Sequence, residues 1–322
     1  MARSALLPDN FTLALLGSVA LASLLPVSGE GARLFDGATH LAIAVLFFLH
    51  GAKLSREAIL AGIGHWRLHL CIFACTFALF PLLGLALKPL LVPMIGDGLY
   101  LGMLYLCALP ATVQSAIAFT SLARGNIPAA ICSAAASSLL GVFLTPLLVT
   151  LLLGVDSQGG SALDAIGQIS VQLLLPFIAG QIARRWIGDW VARNKSWLRN
   201  VDQSSILLVV YGAFSHAVVS GLWDELPWTR LLALILACCL LLALVMGLVS
   251  GLGRLCGFVP EDRITLLFGA SKKSLATGVP MAQVLFASGS IGLMILPLML
   301  FHQIQLMVCA VLAQRFSRDG RP

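Results

Sequence analysis

The chain has 322 residues, of which 59% are hydrophobic and 11% are charged, and its mean hydropathy is +0.97. Because soluble domains carry about 25% charged residues, this composition excludes a soluble globular protein and indicates a polytopic membrane protein. The net charge of +6 does not indicate nucleic-acid binding, since membrane proteins concentrate lysine and arginine in cytoplasmic loops. The eight cysteines lack the paired spacing of a zinc site, so we predict no metal centre and no disulfide.

Ten apolar segments follow one another along the chain, each bounded by polar residues, glycine or proline. The sequence predicts membrane-spanning helices, and hence an all-α fold, over residues 10–26, 37–52, 66–87, 98–123, 127–154, 163–185, 200–222, 229–253, 263–286 and 290–314. A polar stretch at 184–202 is predicted to connect segments six and seven. No linker separates soluble domains, so residues 1–322 are expected to form one transmembrane domain.

The distribution of lysine and arginine predicts the orientation in the membrane. With the amino terminus inside, 15 basic residues fall in inner loops and tails, whereas the outer loops hold only Arg33, Lys88 and Arg230. Positively charged loops stay in the cytoplasm. We therefore expect a cell-membrane protein with both termini cytoplasmic, in the inner membrane if the organism is a bacterium.

Two adjacent lysines, Lys272 and Lys273, lie near the middle of segment nine, with Gly278 and Pro280 just beyond them. One charged residue at the centre of a membrane helix costs about 2.5–3.5 kcal/mol. Irregular backbone at that depth requires surrounding protein or a water-filled cavity. The stretch is therefore a candidate transport site. In the alternative interpretation, one lysine reaches the membrane interface and the other pairs with carbonyl groups.

Segment four is interrupted in a comparable place, at Pro110. Dividing the chain into two five-helix repeats, residues 1–154 and 163–314, makes segments four and nine equivalent. An odd number of helices per repeat inverts the second copy, and paired interruptions indicate a transport site. Half-helix amino termini at such breaks favour an anion.

The candidate substrate- or ion-binding residues are the polar residues around these interruptions. They are Ser271, Lys272, Lys273, Ser274 and Thr277 in segment nine, Thr112, Gln114 and Ser115 in segment four, and His216 and His302 in segments seven and ten. For each histidine, a hydrogen-bonded packing role is the simpler alternative. No acidic residue lies at a segment centre, so we predict no proton relay through a buried carboxylate.

Several local sequences resemble the bile acid:sodium symporter family (solute carrier family ten). The resemblance is carried by Leu122-Ala123-Arg124-Gly125-Asn126-Ile127 and Leu144-Thr145-Pro146-Leu147. A second motif is similar to the divergent SBF-like branch of this family: Ser271-Lys272-Lys273-Ser274-Leu275-Ala276 with Gly278-Val279-Pro280-Met281-Ala282. The resemblance covers essentially the whole chain. It implies an inverted five-plus-five fold with crossing helices 4 and 9, a panel of helices 1, 2, 6 and 7, and a core of helices 3–5 and 8–10. Substrate would lie between panel and core, which would rock to alternate access.

Sodium is the coupling ion that the resemblance implies, but its ligand set is degraded here. At the two helix-five positions that supply hydroxyl groups in sodium-coupled relatives, this chain has Ala130 and Ala134, and segment nine has no carboxylate. Sodium or a proton could therefore serve as the coupling ion, and no other cofactor is expected. We expect at least one of Lys272 and Lys273 to supply a positive charge where relatives hold sodium. If desolvation prevails, that lysine exchanges a proton during transport; if carbonyl groups bind it, it is a fixed tether.

The leading interpretation is a secondary active transporter of a small organic or amphipathic anion in the lipid bilayer, as a monomer or homodimer. The alternative is a non-transporting membrane regulator of ion flux built on the same fold. Enzyme activity is not expected, since the sequence has no acid dyad, metal cluster or nucleophile–base motif. A lysine pair wetted by a cavity would favour transport, whereas a pair sealed inside protein would favour the regulator.

Overall fold

The computed structural model describes residues 10–53, 63–153, 162–219, 221, 226–286 and 291–319. This part of the chain is almost entirely helical and contains no strand, which confirms the all-α prediction. Its helices are α1 (Asn10–Leu24), α2 (Glu30–Lys53), α3 (Trp66–Ala86), α4 (Lys88–Ile95), α5 (Asp97–Ala108), α6 (Gln114–Leu122), α7 (Ile127–Leu153), α8 (Ala162–Arg193), α9 (Lys195–Val219), α10 (Trp228–Leu255), α11 (Pro260–Ala270), α12 (Leu275–Leu285) and α13 (Ile291–Asp319). By length and apolar composition, α2, α3, α7, α10 and α13 can each cross a membrane.

The two predicted interruptions are both present. Segment four consists of α5 and α6, separated by residues 109–113, and segment nine consists of α11 and α12, separated by residues 271–274. Leu109 is extended, with φ −76° and ψ 154°, because the ring of Pro110 disfavours helical backbone in the residue before it. Ser274 begins α12 as its N-cap, since its hydroxyl accepts a hydrogen bond of 3.2 Å from the Thr277 N–H.

The polar stretch at 184–202, which connects segments six and seven, is itself largely helical. α8 continues to Arg193 and α9 begins at Lys195, with a single non-helical residue between them. The stretch is amphipathic: Val191 and Leu198 are buried together with Leu49 of α2. Burial of this apolar face against α2 stabilises the helices despite the many charges on their other faces. α2 itself begins at Glu30, before the predicted start of segment two at residue 37.

Two glycines bring α2 and α8 into main-chain contact. A Cβ atom on Gly51 would overlap the carbonyl group of Phe177, and one on Gly180 would overlap the carbonyl group of Phe48. Only glycine permits backbones to approach this closely, as small residues do in other membrane helix pairs. The contact fixes the two helices against each other, and with them the cavity wall to which Phe177 contributes.

We expect the Gly51→Ala substitution to lower the thermal unfolding temperature of the detergent-purified protein. The added methyl group must push two main chains apart, and overpacking of this kind costs about 1–3 kcal/mol. The matched control is Gly247→Ala on α10, where an added Cβ would meet no atom within 4 Å. Melting curves of the two variants that coincide would contradict this account of the α2–α8 contact.

Candidate functional site

The two helix breaks lie against each other. The Ser274 N–H in the second break donates a hydrogen bond of 3.0 Å to the Pro110 carbonyl in the first. The Tyr105 hydroxyl of α5 donates to the Gly278 carbonyl of α12. On the other side, the Ala111 N–H donates to the Ser137 hydroxyl of α7 at 3.0 Å. These bonds join the breaks into one local structure, here called the crossover: residues 109–113 and 271–274.

The ammonium group of Lys273 is bound inside the crossover by three main-chain carbonyls. Its Nζ atom donates to the oxygens of Thr76 at 2.7 Å, Cys107 at 2.8 Å and Leu109 at 2.7 Å. It also lies 4.1 Å from the centroid of the Phe80 ring. The side chain has no solvent exposure. Hydrogen bonds from a charged donor are stronger than neutral ones, so this group ties α3 to the end of α5.

The Thr76 carbonyl is available to Lys273 because of a π turn in α3. At this turn, Cys75–Leu79, the Phe80 N–H donates to the Cys75 carbonyl, one residue further back than in an α-helix. The residue after Phe80 is Pro81, which has no N–H group. The Thr76 carbonyl is therefore left without a donor from its own helix, and Lys273 supplies one.

The other two carbonyls are available because α5 ends there. The last carbonyls of any α-helix have no donor within the helix. Lys273 takes those of Cys107 and Leu109, while the Thr145 hydroxyl of α7 donates to the Ala108 carbonyl between them at 2.9 Å. With the Ser274 bond, each carbonyl from residue 107 to residue 110 has a hydrogen-bond donor.

The main chain of Lys273 is held by Gln305 of α13. The Lys273 N–H donates to the Gln305 side-chain oxygen at 2.8 Å, and the Gln305 amide nitrogen donates to the Lys273 carbonyl at 2.9 Å. Gln305 is itself fully buried, and its amide nitrogen lies 2.8 Å from Nδ1 of His302. Within the non-helical second break, both main-chain polar groups of Lys273 thus have a hydrogen-bond partner in the Gln305 side chain.

Lys272 has a different environment, although it is equally buried. Its Nζ atom lies 4.6 Å from the centroid of the Phe119 ring and 5.5 Å from that of Phe268, and it has no hydrogen-bond partner among the described residues. Aromatic faces bind a cation more weakly than three carbonyls do. Of the two lysines, Lys273 therefore has the environment of a fixed charge.

A cavity of about 480 Å³ adjoins the crossover. Six of the predicted site residues line it: Thr112, Gln114, Ser115, Ser274, Thr277 and His302. Further polar lining residues are His50, Lys53, Ser138, Arg199, Asp202 and Gln203. Apolar side chains form much of the remaining wall, among them Phe11, Phe47, Ile117, Ile131, Phe177 and Leu306.

Two helices begin at this cavity. Gln114 and Ser115, the first two residues of α6, line it, as do Leu275 and Ala276, the first two residues of α12. The amino terminus of a helix presents free N–H groups and a partial positive charge. Both half-helices therefore direct a weakly positive end at the same space.

The charged side chains of the lining add to this field. Lys53 and Arg199 are basic, and the carboxylate of Asp202 is already paired with the Lys53 ammonium. One oxygen of Asp202 remains buried without a hydrogen-bond partner among the described residues. The same part of the chain contains no group of three histidine, cysteine or acidic side chains suited to a metal ion. With Lys53 paired to Asp202, the described lining keeps one net positive side-chain charge, that of Arg199.

The remaining predicted site residues lie elsewhere. Lys272, Lys273 and Ser271 are sealed in protein beside the cavity, and the Ser271 hydroxyl donates to the Leu267 carbonyl at 2.6 Å. His216 is part of neither the cavity nor the crossover. Its Nε2 atom lies 3.0 Å from the Asp36 carboxylate, because this face of α9 packs towards α2.

Sequence reasoning anticipated that carbonyl groups could bind a lysine here, but it did not identify the carbonyls of Thr76, Cys107 and Leu109. One signal for the role of Gln305 is its position one helical turn after His302, which places both on the same face. Pro81 inside an apolar helix is a second signal, because a proline there frees a carbonyl. No sequence pattern placed Lys53 and Arg199 at the cavity, because hydropathy assigns both residues to loops.

A helical membrane protein in which two interrupted helices meet beside one cavity has the arrangement of a secondary transporter. The chain belongs to the SBF-like CPA transporter family, which matches residues 9–318. This confirms the family predicted from the lysine motif and makes the protein a multi-pass membrane protein of a transporter family.

Relatives span nearly the whole chain. It is 68% identical over 318 residues to an uncharacterized protein of Pseudomonas aeruginosa, covering 99% of this chain and 96% of that protein. It is 58% identical over 315 residues to "Putative symporter YfeH" of Escherichia coli, covering 97% and 93%. It is 31% identical over 277 residues to "Sodium/bile acid cotransporter 7" of Rattus norvegicus, covering 85% and 81%.

The two lysines should respond differently to the same substitution. Lys273→Met removes the donor from three buried carbonyls, and we expect it to destabilise the protein by about 2 kcal/mol or more. Lys272→Met removes an ammonium that has no acceptor among the described residues, so we expect it to leave stability unchanged or to raise it. Thermal unfolding and the yield of monodisperse protein in detergent measure both effects, with Lys273→Arg testing whether a retained charge restores part of the loss. Equal tolerance of methionine at both positions would contradict the tether.

Proposed function

We propose that this protein is a secondary active transporter of an amphipathic organic anion and works by alternating access. The observation that carries the proposal is the cavity of about 480 Å³ at which the amino termini of α6 and α12 meet. Paired half-helix ends facing one cavity are the arrangement by which transporters bind small anions.

The lining supports a substrate with an apolar body and an anionic group. Ring and aliphatic side chains such as Phe47, Phe177 and Leu306 would contact the body, while Lys53 and Arg199 would contact the charge. The Asp202 oxygen that has no hydrogen-bond partner in the described part of the chain would accept a hydrogen bond, which favours a substrate that also carries a hydroxyl or N–H group. Pockets of several hundred Å³ with a few placed polar groups are typical of small-molecule sites.

The proposed transport cycle uses two groups of helices. We assign α1, α2, α8 and α9 to the panel and the remaining helices to the core, in two inverted five-helix repeats. Within the panel, α1 and α9 are joined by a 2.6 Å hydrogen bond from the Tyr211 hydroxyl to the Leu25 carbonyl just beyond α1, and α2 and α8 by their glycine contact. The basic loops support cytoplasmic termini, so the end of the cavity at Lys53 and Arg199 would open to the cytoplasm.

Coupling to the two sodium ions of related transporters is not part of the proposal. Ala130 and Ala134 are buried on α7 and offer no side-chain oxygen. The Lys273 ammonium already occupies the free carbonyls of Thr76, Cys107 and Leu109 at the crossover. A positive charge at this place would repel sodium, so a proton gradient or the membrane potential is the favoured driving force.

Uptake should therefore persist when sodium is absent. The measurement is a screen of labelled organic anions in proteoliposomes, with sodium, proton and potential gradients imposed separately. We expect the transported anion to accumulate equally when choline replaces sodium. Uptake that required sodium, with a Hill slope of about two, would contradict the proposal.

Filling the cavity should stop transport without unfolding the protein. Ala135 of α7 lines the cavity, and Ala135→Phe would place a ring in the space the substrate needs. We expect uptake to fall about tenfold or more. The control is Leu147→Phe on the same helix, at a side chain that is 50% exposed on the outside of the molecule. Normal uptake by the Ala135→Phe protein would show that this cavity is not the transport route.

The non-transporting regulator remains the second candidate because both lysines are sealed in protein. A sealed pair can hold a scaffold together without any substrate. The same uptake screen separates the two functions. A regulator would accumulate no tested anion under any gradient, and Ala135→Phe would leave its effect on ion flux unchanged.

A further inference from the structure

A second cavity, of about 400 Å³, lies beside the first and has a different character. Four basic side chains, Lys53, Arg184, Lys195 and Arg199, surround it, and its described lining contains no acidic residue. We call this space the basic vestibule. Its basic residues come from the last turn of α2, the carboxyl-terminal part of α8 and the beginning of α9, so basic side chains from three helices surround one concavity.

These four charges are only partly neutralised. Lys53 pairs with Asp202, and one Nη atom of Arg184 donates to the Ala52 carbonyl at 2.9 Å. That bond fixes the guanidinium group and leaves its other N–H donors available, since arginine has five. Lys195 and Arg199 are exposed. Several like charges around a small space repel one another, and an anion relieves this repulsion.

The charge of the vestibule indicates the class of anion. Even after the Asp202 carboxylate is counted, three positive charges remain around a space large enough for a headgroup. A phosphate group carries up to two negative charges and accepts paired hydrogen bonds from a guanidinium group. A single carboxylate would leave most of this charge unmatched.

The exposed tryptophans around the vestibule indicate that it lies at the depth of the membrane surface. Trp186, Trp190 and Trp197 flank it on α8 and α9 and are 67%, 42% and 56% exposed. Exposed tryptophans mark the depth of lipid headgroups. Basic pockets at that depth bind acidic headgroups in other membrane proteins.

We propose that the basic vestibule binds a phosphate group, supplied either by an acidic phospholipid or by a soluble phosphate-bearing anion. The site is distinct from the transport cavity in its lining, although the two share Lys53, Gln114 and Arg199. Binding at the vestibule does not require transport, so this inference can fail while the proposed function holds, and the reverse.

Two variants test the vestibule, and neither changes a residue that it shares with the transport cavity. The double variant Arg184→Gln/Lys195→Gln removes two of its charges. Gly188→Leu fills it, because a Cβ at Gly188 would meet only the Arg184 side chain, at an ordinary 3.5 Å. The control is Arg185→Gln/Arg193→Gln, which removes two exposed charges of α8 that do not line the vestibule.

The full-length protein is placed in phosphatidylcholine nanodiscs and titrated with inorganic pyrophosphate by calorimetry at about 0.15 M ionic strength. In a second arm, native mass spectrometry counts phosphatidylglycerol retained from mixed nanodiscs without added phosphate. We expect binding in at least one arm, weakened about tenfold or more by the two vestibule variants and less than about twofold by the control. The responding arm identifies the source of the phosphate. Absence of binding in both arms, or equal weakening by the control, would overturn the proposal, and unchanged melting temperatures show that the variants are folded.

Discussion

The ammonium group of Lys273 determines how the two broken helices can meet. A break in a membrane helix leaves carbonyl groups without donors, and in a lipid environment each such group is costly. One lysine satisfies three of them, from α3 and from the end of α5. The charge also lies at the negative end of the α5 dipole, where a cation is favoured. The crossover is therefore stabilised by a residue that would otherwise be among the least favourable in a membrane.

This arrangement separates the two kinds of helix end. The carbonyl end of α5 is turned towards Lys273, whereas the N–H ends of α6 and α12 are turned towards the cavity. The buried Lys273 ammonium thus binds the protein's own backbone. The positive charge that a ligand in the cavity would meet comes from the amino termini of α6 and α12 and from Lys53 and Arg199. That division explains how a sealed lysine can accompany an anion cavity, although the sealing itself would equally suit a scaffold.

Local chemistry made the breaks predictable. Pro110 disfavours a helix before it, and two adjacent lysines are costly in lipid, so residue types indicated both interruptions. Residue type did not fix their positions, since Pro146 and Pro280 lie inside continuous helices. The direction of the Lys273 side chain depends on a partner 197 residues away, the Thr76 carbonyl, which is free only because a π turn precedes Pro81. No local pattern predicts such a pairing. Adjacent positions on a chain point in different directions, which is why Lys272 and Lys273 differ despite identical type and burial.

The cavity was less predictable than the fold for a related reason. Its basic residues lie in stretches that hydropathy assigns to loops, and the charged stretch at 184–202 is helical because Val191 and Leu198 pack against α2. In the sequence, the many charged residues of this stretch hide its short apolar face. The position of His216 in the sequence indicates a helix face but not the neighbour of that face, which in the structure is Asp36.

Accessibility of the cavity from the two sides of the membrane tests alternating access most directly. A single cysteine is introduced as Ala135→Cys after replacement of Cys71, Cys239 and Cys256, the three native cysteines that are not buried. Reconstituted protein is then exposed to a membrane-impermeant thiol reagent from either side. The account predicts labelling of residue 135 from both sides, with the transported anion protecting it. Labelling from one side only, under all gradients and with or without anion, would contradict a transporter and favour a static scaffold.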